Sequence, residues 1–121
     1  MAHLIHIVED DAAVRDSLEL FLESHGFDVE TFGSGRELLD AAPSRCSCLI
    51  LDVNLPGETG FELLERLRRS GQRAPAIFMS GRPGPDTRTR ATRANAVAFF
   101  DKPVPPKELL AAVKSATGHM P

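Results

Sequence analysis

The chain has 121 residues, which suits one domain and is too short for two independent ones. Hydrophobic residues make up 42% and charged residues 26%, as in ordinary globular proteins, and the formal net charge of −3 argues against general binding to nucleic acid. No apolar run reaches membrane-spanning length and no basic leader precedes one, so we expect a cytoplasmic protein that makes no contact with a membrane.

The first part of the chain alternates between strand and helix patterns. A strand is expected at about residues 4–8, and a helix at about 12–25, where apolar residues recur at helical spacing. A second strand is expected at about 28–32. Ser34 and Glu37 have the spacing of a capping box, which predicts the start of a second helix.

The middle of the chain repeats the same alternation. A buried third strand is expected at about residues 47–52, where apolar residues run without interruption. Cys46 and Cys48 lie at its start, and we interpret both as reduced packing residues because neighbouring side chains point to opposite faces of a strand. Thr59 and Glu62 form a second capping-box pattern and predict a third helix.

The last third contains the weakest predicted element. A fourth strand runs from about 75 to 79 and ends at Ser80. Residues 82–95 contain four arginines, two prolines and three threonines, with two alanines as the apolar residues, so we expect this helix to be short, displaced or mobile. A fifth strand at about 96–100 and a fifth helix, begun by Pro105 and Pro106, complete the pattern.

Five strand–helix units with right-handed crossovers predict an α/β fold with a doubly wound parallel sheet and helices on both faces. Their number and lengths suit the flavodoxin-like strand order 2-1-3-4-5. Strands one and three are neighbours in this order. Because the carboxyl ends of parallel strands share one edge, the residues that follow them are expected to meet there.

Charged residues follow three of these strands. Asp10 and Asp11 come after the first strand, Asp52 ends the third, and Lys102 follows the fifth. Clustered carboxylates need a counter-ion, and Mg²⁺, or alternatively Mn²⁺, prefers such oxygen ligands. We take Glu9 as a flanking charge and not as a ligand.

A central carboxylate beside a metal ion, a lysine and a hydroxyl group suits phosphoryl transfer to aspartate. Asp52 would accept the group, Lys102 would offset the charge on the phosphoryl oxygens, and the hydroxyl of Ser80 would donate a hydrogen bond. No Gly-rich nucleotide loop is present, so the phosphoryl group must come from another protein or a small donor.

Over essentially its whole length the chain resembles the receiver domains of two-component response regulators, which have the CheY-like form of the flavodoxin-like fold. It is most similar to the receivers of FixJ/NarL-like transcriptional regulators. The resemblance implies that Asp10 and Asp11 are the metal-binding pair and that Asp52 is the phospho-acceptor. Asn54 would supply a backbone carbonyl to the metal ion, and Lys102 would be the active-site lysine.

The resemblance also implies the parts of a switch. Ser80 matches the residue that engages the phosphoryl group, Phe99 the aromatic rotamer switch, and Pro103 a proline that typically follows a cis peptide bond. A sensor histidine kinase would be the donor. The face formed by helix four, strand five and helix five would then change, and it could bind a second copy of the chain or an acidic protein partner.

We therefore expect residues 1–121 to form a single receiver domain, with about 116–121 as a tail or the start of a linker. Catalysis would be confined to the domain's own phosphorylation and dephosphorylation, so it would not be an enzyme in the usual sense. Nucleic acid would be contacted only through an output domain, such as a transcriptional one, that this chain lacks.

Two alternatives stay open at this point. A Mg²⁺-dependent phosphatase of the haloacid dehalogenase type also uses an aspartate at a strand end, but that family places a second aspartate where this chain has Asn54. The other alternative is a receiver-like protein-interaction module that is never phosphorylated.

Overall fold

Five parallel strands form the central sheet, and helices cover both of its faces. The computed structural model describes residues 3–41 and 46–118. In chain order the elements are β1 (Leu4–Val8), α1 (Ala12–Glu23), β2 (Asp28–Phe32), α2 (Gly35–Asp40), β3 (Cys48–Asp52), β4 (Asn54–Leu55), β5 (Glu58–Thr59), α3 (Gly60–Arg69), β6 (Ala76–Ser80), α4 (Thr87–Arg93), β7 (Ala98–Asp101) and α5 (Pro106–Thr117). The sheet order β2-β1-β3-β6-β7 confirms the predicted doubly wound, flavodoxin-like fold, with β6 and β7 as its fourth and fifth strands.

The hydrophobic core has two halves, one on each face of the sheet. Cys48 and Ile50 of β3 pack with α1 and α5, whereas Leu49 and Leu51 pack with α2, α3 and α4. Every residue of β3 is buried, because this central strand has helices on both sides. That double burial explains the uninterrupted apolar run and confirms Cys48 as a packing residue; both it and Cys46 are free thiols.

The two predicted capping boxes have different outcomes. At α3 the Thr59 hydroxyl accepts from the N–H of Glu62, and the Glu62 carboxylate accepts from the N–H of Thr59, which completes the box. At α2 the hydroxyl of Ser34 accepts from the N–H of Glu37 as expected. The Glu37 carboxylate, however, accepts from the N–H of Gly33, one residue before the cap, so this box is only half formed.

The region of α4 is as short as its composition predicts. The helix has seven residues, and Ala91 is its buried residue. Asn95 ends the turn after α4 with a positive φ of 60°. β7 begins at Ala98 and not at about residue 96, because the N–H of Ala96 still donates to the carbonyl of Ala91 in α4. Val97 is 41% exposed.

The last helix extends further than expected. α5 continues through Thr117 and is capped by Gly118 in the left-handed conformation, so residues 116 and 117 are helical and not part of a tail. Residues 119–121, the rest of the predicted tail, lie outside the described part of the chain. Within 3–41 and 46–118, no helix is long and apolar enough to cross a membrane.

The connection from β3 to α3 brings helix backbone against the end of the strand. β4 and β5 pair as a small antiparallel hairpin, which the sequence did not predict, and the N–H of Gly60 donates to the carbonyl of Val53 at 2.9 Å. A β-carbon at Gly60 would collide with the carbonyl oxygen of Asp52. Glycine at this position therefore sets how closely α3 approaches Asp52.

Gly60→Ala is expected to destabilise the domain by about 1–3 kcal/mol, because the clash is with backbone that cannot rotate away. Urea unfolding measures the change. Gly84→Ala is the matched control: its β-carbon would meet only the Thr87 hydroxyl, at an ordinary 3.7 Å, so stability should change by less than about 0.5 kcal/mol. Equal stability of the two variants would contradict the packing described.

Candidate functional site

Asp52 lies at the carboxyl edge of the sheet, in the position that the sequence predicts. It is the last residue of β3 and is 2% exposed. One carboxylate oxygen, Oδ1, accepts from the N–H of Asn54 at 3.0 Å, and the other, Oδ2, accepts from Nζ of Lys102 at 3.0 Å. Both oxygens are thus oriented by neighbours.

Lys102 joins two strand ends. It follows β7, and its Nζ lies 2.5 Å from Oε1 of Glu9 and 3.0 Å from Oδ2 of Asp52. Burial alone would lower the pKa of Lys102, but the hydrogen bonds to Glu9 and Asp52 outweigh it and raise the pKa. The ammonium group therefore stays charged. The peptide bond between Lys102 and Pro103 is cis, which agrees with the resemblance stated for Pro103.

Glu9 is a site residue that the sequence analysis set aside. Its N–H still bonds the carbonyl of Phe32, so the extended chain continues one residue beyond β1 and holds Glu9 at the sheet edge. The residue is fully buried. Burial raises the pKa of its carboxyl group to about 7, and the contact with Lys102 only partly offsets this rise.

Three carboxylates converge at this edge. One oxygen from each of Glu9, Asp10 and Asp52 lies within 4.8 Å of the others, with Asp10 exposed and the other two buried. They line a cleft of about 490 Å³ together with Lys102 and Asn54. This donor set is all oxygen, which is the chemistry that Mg²⁺ or Mn²⁺ prefers.

Asp11 has a different place from the one expected. Its Oδ1 accepts from the N–H groups of Ala13 at 2.9 Å and Val14 at 3.2 Å, so the carboxylate caps α1. Asp11 borders the cleft but is not among the three converging acids. The converging pair is thus Glu9 and Asp10, one residue earlier than the sequence analysis placed it. The preference of aspartate for the N-cap position was the signal that could have shown this.

The hydroxyl group of Ser80 is committed to neighbouring polar atoms. Ser80 ends β6, is fully buried, and donates to Oδ1 of Asn54 at 2.9 Å. It also accepts from the N–H of Arg82 at 3.1 Å. Ser80 is therefore linked through Asn54 to Asp52, and through Arg82 to the loop that precedes α4.

Phe99 and Phe100 lie on opposite faces of β7. Phe99 packs with the α2–α3–α4 half of the core and is partly buried, while Phe100 packs with the α1–α5 half. The guanidinium carbon of Arg88 lies 4.9 Å from the centroid of the Phe99 ring, and Arg88 also pairs with Asp101 at 3.5 Å. The position proposed for an aromatic switch is thus covered by an arginine of α4.

Comparison with known proteins identifies relatives that match nearly the whole chain. A family model described as the response regulator receiver domain matches residues 5–114. Response regulator protein TodT of Pseudomonas putida is 40% identical over 116 residues, covering 95% of this chain and 51% of that protein. Nodulation protein W of Bradyrhizobium diazoefficiens is 41% identical over 115 residues, covering 94% and 51%.

The FixJ-like resemblance is also confirmed. Transcriptional regulatory protein FixJ of Bradyrhizobium diazoefficiens is 37% identical over 113 residues, covering 93% of this chain and 55% of FixJ. The crystal structure of FixJ-N has a TM-score of 0.86 and 31% identity, covering 100% of this chain and 98% of the other.

A CheY-like receiver domain from Methanospirillum hungatei has a TM-score of 0.85 and 30% identity, covering 98% of this chain and 95% of the other. The chain spans about half the length of the curated relatives it matches. The family match and the shared fold both cover nearly all of the chain. The protein therefore belongs to the response regulator receiver domains of two-component systems.

Proposed function

We propose that this receiver domain accepts a phosphoryl group on Asp52 from a sensor histidine kinase, with Mg²⁺ bound. The observation that carries the proposal is the convergence of Asp52, Lys102 and two further carboxylates at the floor of an open cleft. In the transfer, an oxygen of Asp52 attacks phosphorus and the bond from phosphorus to the histidine nitrogen breaks. The product is an acyl phosphate on the domain and a free histidine on the kinase.

The donor set fits a divalent cation. We infer that Asp10, Asp52 and Glu9 would hold the ion, with a further ligand from the backbone carbonyl of Asn54. The resemblance assigned Asp11 to the metal-binding pair. Asp11 would instead cap α1, because its Oδ1 already accepts hydrogen bonds from two backbone N–H groups. A bound Mg²⁺ or Mn²⁺ would offset the negative charge that gathers as the phosphoryl group arrives.

Lys102 and Ser80 would act on the phosphoryl oxygens. The Lys102 ammonium is already held at Asp52, so it would supply positive charge without first having to be oriented. Ser80 would have to give up its hydrogen bond to Asn54 in order to donate to a phosphoryl oxygen. Because the hydroxyl group of Ser80 also accepts from the N–H of Arg82, a change in its hydrogen bonding would transmit the effect of phosphorylation to the loop before α4.

The output would be read from the face that α4, β7 and α5 form. Rearrangement of α4 would uncover Phe99 from Arg88 and change this face, which would then bind a second copy of the chain or a protein partner. The chain covers about half the length of two relatives that are named transcriptional regulatory proteins. We therefore propose a transcriptional output through a further domain or partner. That domain or partner, and not this chain, would contact nucleic acid. We also propose a cytoplasmic location.

The alternatives stand differently. Membership of the receiver family argues against a haloacid dehalogenase phosphatase, and Asn54, which accepts a hydrogen bond from Ser80, cannot act as the general acid that such an enzyme needs. The first experiment below distinguishes the proposed phospho-accepting domain from an interaction module that is never phosphorylated.

Incubation with acetyl phosphate and Mg²⁺ is expected to add the mass of one phosphoryl group to the protein, and Asp52→Asn should abolish the addition. Intact-protein mass spectrometry measures both. Asp101→Asn is the matched control, because Asp101 also ends a strand but is exposed and pairs with Arg88. An unmodified wild-type protein would contradict the proposal and leave the interaction module.

Asp10→Asn is expected to weaken Mg²⁺ binding by about tenfold or more, because it removes a direct ligand. Asp11→Asn removes the same charge one residue away, yet should change the affinity by less than about threefold and keep α1 capped, since asparagine caps helices as well as aspartate does. Isothermal titration calorimetry compares the two. Equal losses in both variants would return Asp11 to the metal-binding set.

In metal-free buffer, Glu9 is expected to make stability depend on pH. Burial raises its pKa from 4.5 in the unfolded chain to about 7, so the folded state holds the proton more tightly and stability falls as pH rises from about 4.5 to about 7. Glu9→Gln should remove this fall and be more stable than wild type at pH 8, by on the order of 1 kcal/mol, but not at pH 4.5.

Thermal unfolding in the presence of a chelator measures this difference between Glu9→Gln and wild type. Glu23→Gln, at the exposed end of α1, controls for the loss of one negative charge and should follow the wild-type pH curve. A Glu9→Gln curve parallel to that of wild type would show that Glu9 does not limit stability.

A further inference from the structure

A second concave site lies between α3 and α4, away from the Asp52 cleft. It is a groove of about 770 Å³ with an apolar floor that includes Phe61, Leu64 and Ala94. The groove shares no lining residue with the cleft at Asp52. Five arginines line it: Arg68, Arg69, Arg73, Arg90 and Arg93. We call this site the arginine groove.

The charge of the arginine groove is only partly compensated: outside the lining residues, Glu62 of α3 interacts electrostatically with Arg90. Glu65 is its one acidic residue, and it pairs with Arg69 at 3.8 Å with both side chains largely exposed. For the other four arginines, no carboxylate of the described residues lies within ion-pair distance. A chain with a net charge of −3 thus gathers several unpaired cations in one concave place. Such a place attracts an anionic ligand.

Two of the arginines are held in position. Nη1 of Arg68 donates to the backbone carbonyls of Gln72 at 2.9 Å and Ala74 at 2.7 Å. The guanidinium group of Arg90 lies over the ring of Phe61, 4.5 Å from its centroid. A guanidinium group has five N–H donors, so each side chain retains donors for a ligand. Arginines that are already ordered lose less entropy when they bind.

The arginines of α4 are divided between two surfaces. Arg88 contacts Phe99 and Asp101 of β7, whereas Arg90 and Arg93 line the groove on the α3 side. The face of α4, β7 and α5, where the sequence analysis expected an acidic partner, therefore has its arginine already paired. Arg90 and Arg93, which form no ion pair with the described residues, lie on the other side of α4.

We propose that the arginine groove binds an acidic, partly apolar segment of a partner protein. Carboxylates match guanidinium groups in geometry and can accept two hydrogen bonds from one arginine. An apolar side chain of the same segment can pack against the partly exposed Ala94 and the aliphatic stems of the arginines. Nucleic acid fits less well. Phe61 is 7% exposed beneath Arg90, so the groove offers no open aromatic ring on which a base could stack.

The test uses a fluorescein-labelled synthetic peptide of repeated Glu-Glu-Leu units and measures fluorescence anisotropy at low and physiological salt. Wild-type protein is expected to bind it with one-to-one stoichiometry and more weakly at higher salt. A peptide with Gln in place of every Glu should not bind. Absence of saturable binding of the acidic peptide would overturn the proposal.

The double variant Arg73→Gln and Arg93→Gln is expected to weaken peptide binding by about tenfold or more, because it removes charge from both walls of the groove. Neither side chain forms an ion pair within the described structure, so the variant should fold normally, as circular dichroism can verify. The matched control, Arg36→Gln with Lys107→Gln, removes two exposed cations elsewhere and should change affinity less than twofold.

Equal affinities of the two double variants would overturn the assignment of the groove. Tighter binding of a single-stranded oligonucleotide of equal charge, with the same dependence on Arg73 and Arg93, would replace the acidic segment by nucleic acid. Phosphorylation by acetyl phosphate should be the same in all of these proteins, so failure here is distinguishable from failure of the function proposed for Asp52.

Discussion

The site depends on the interaction of the Lys102 ammonium group with the buried carboxylates of Glu9 and Asp52. This interaction links Glu9, which follows β1, to Asp52, the last residue of β3, and Lys102 itself follows β7, so three segments far apart in sequence meet here. Two like charges a few ångströms apart repel by on the order of 4 kcal/mol at an effective dielectric of 20. Lys102 lies against both Glu9 and Asp52 and offsets part of this repulsion, while burial still raises the pKa of Glu9 to about 7. The edge is therefore polar, buried and ordered at once.

Much of this arrangement is predictable from the sequence because its causes are local. Uninterrupted apolar runs mark buried strands, and the charge that ends each run marks the strand end. Parallel topology then brings those ends together, so the meeting of Asp52, Asp10 and Lys102 follows from element order alone. The short α4 is predictable for a similar reason, since its residues bury little apolar area.

What the sequence could not predict depends on single-residue geometry and on packing between distant elements. Glu9 lies in the acidic cluster because one further backbone hydrogen bond extends the strand through it, and the carboxylate of Asp11 caps α1. A pattern that is uncertain by one residue cannot distinguish the pair Glu9-Asp10 from the pair Asp10-Asp11. The division of α4 arginines between two surfaces is likewise unpredictable, because it depends on where the rings of Phe61 and Phe99 lie.

The close contact at Gly60 packs Asp52 more rigidly on the side of α3 than on the side of α4. Toward α3, the backbone of the helix abuts the carbonyl of Asp52, and rigid main-chain atoms leave no room for a shift. Toward α4, attachment relies on buried Ala91 and on guanidinium groups lying over Phe61 and Phe99, contacts that individually contribute only about 0.5–1 kcal/mol when exposed. A displacement of Asp52 should therefore meet less resistance toward α4 than toward α3.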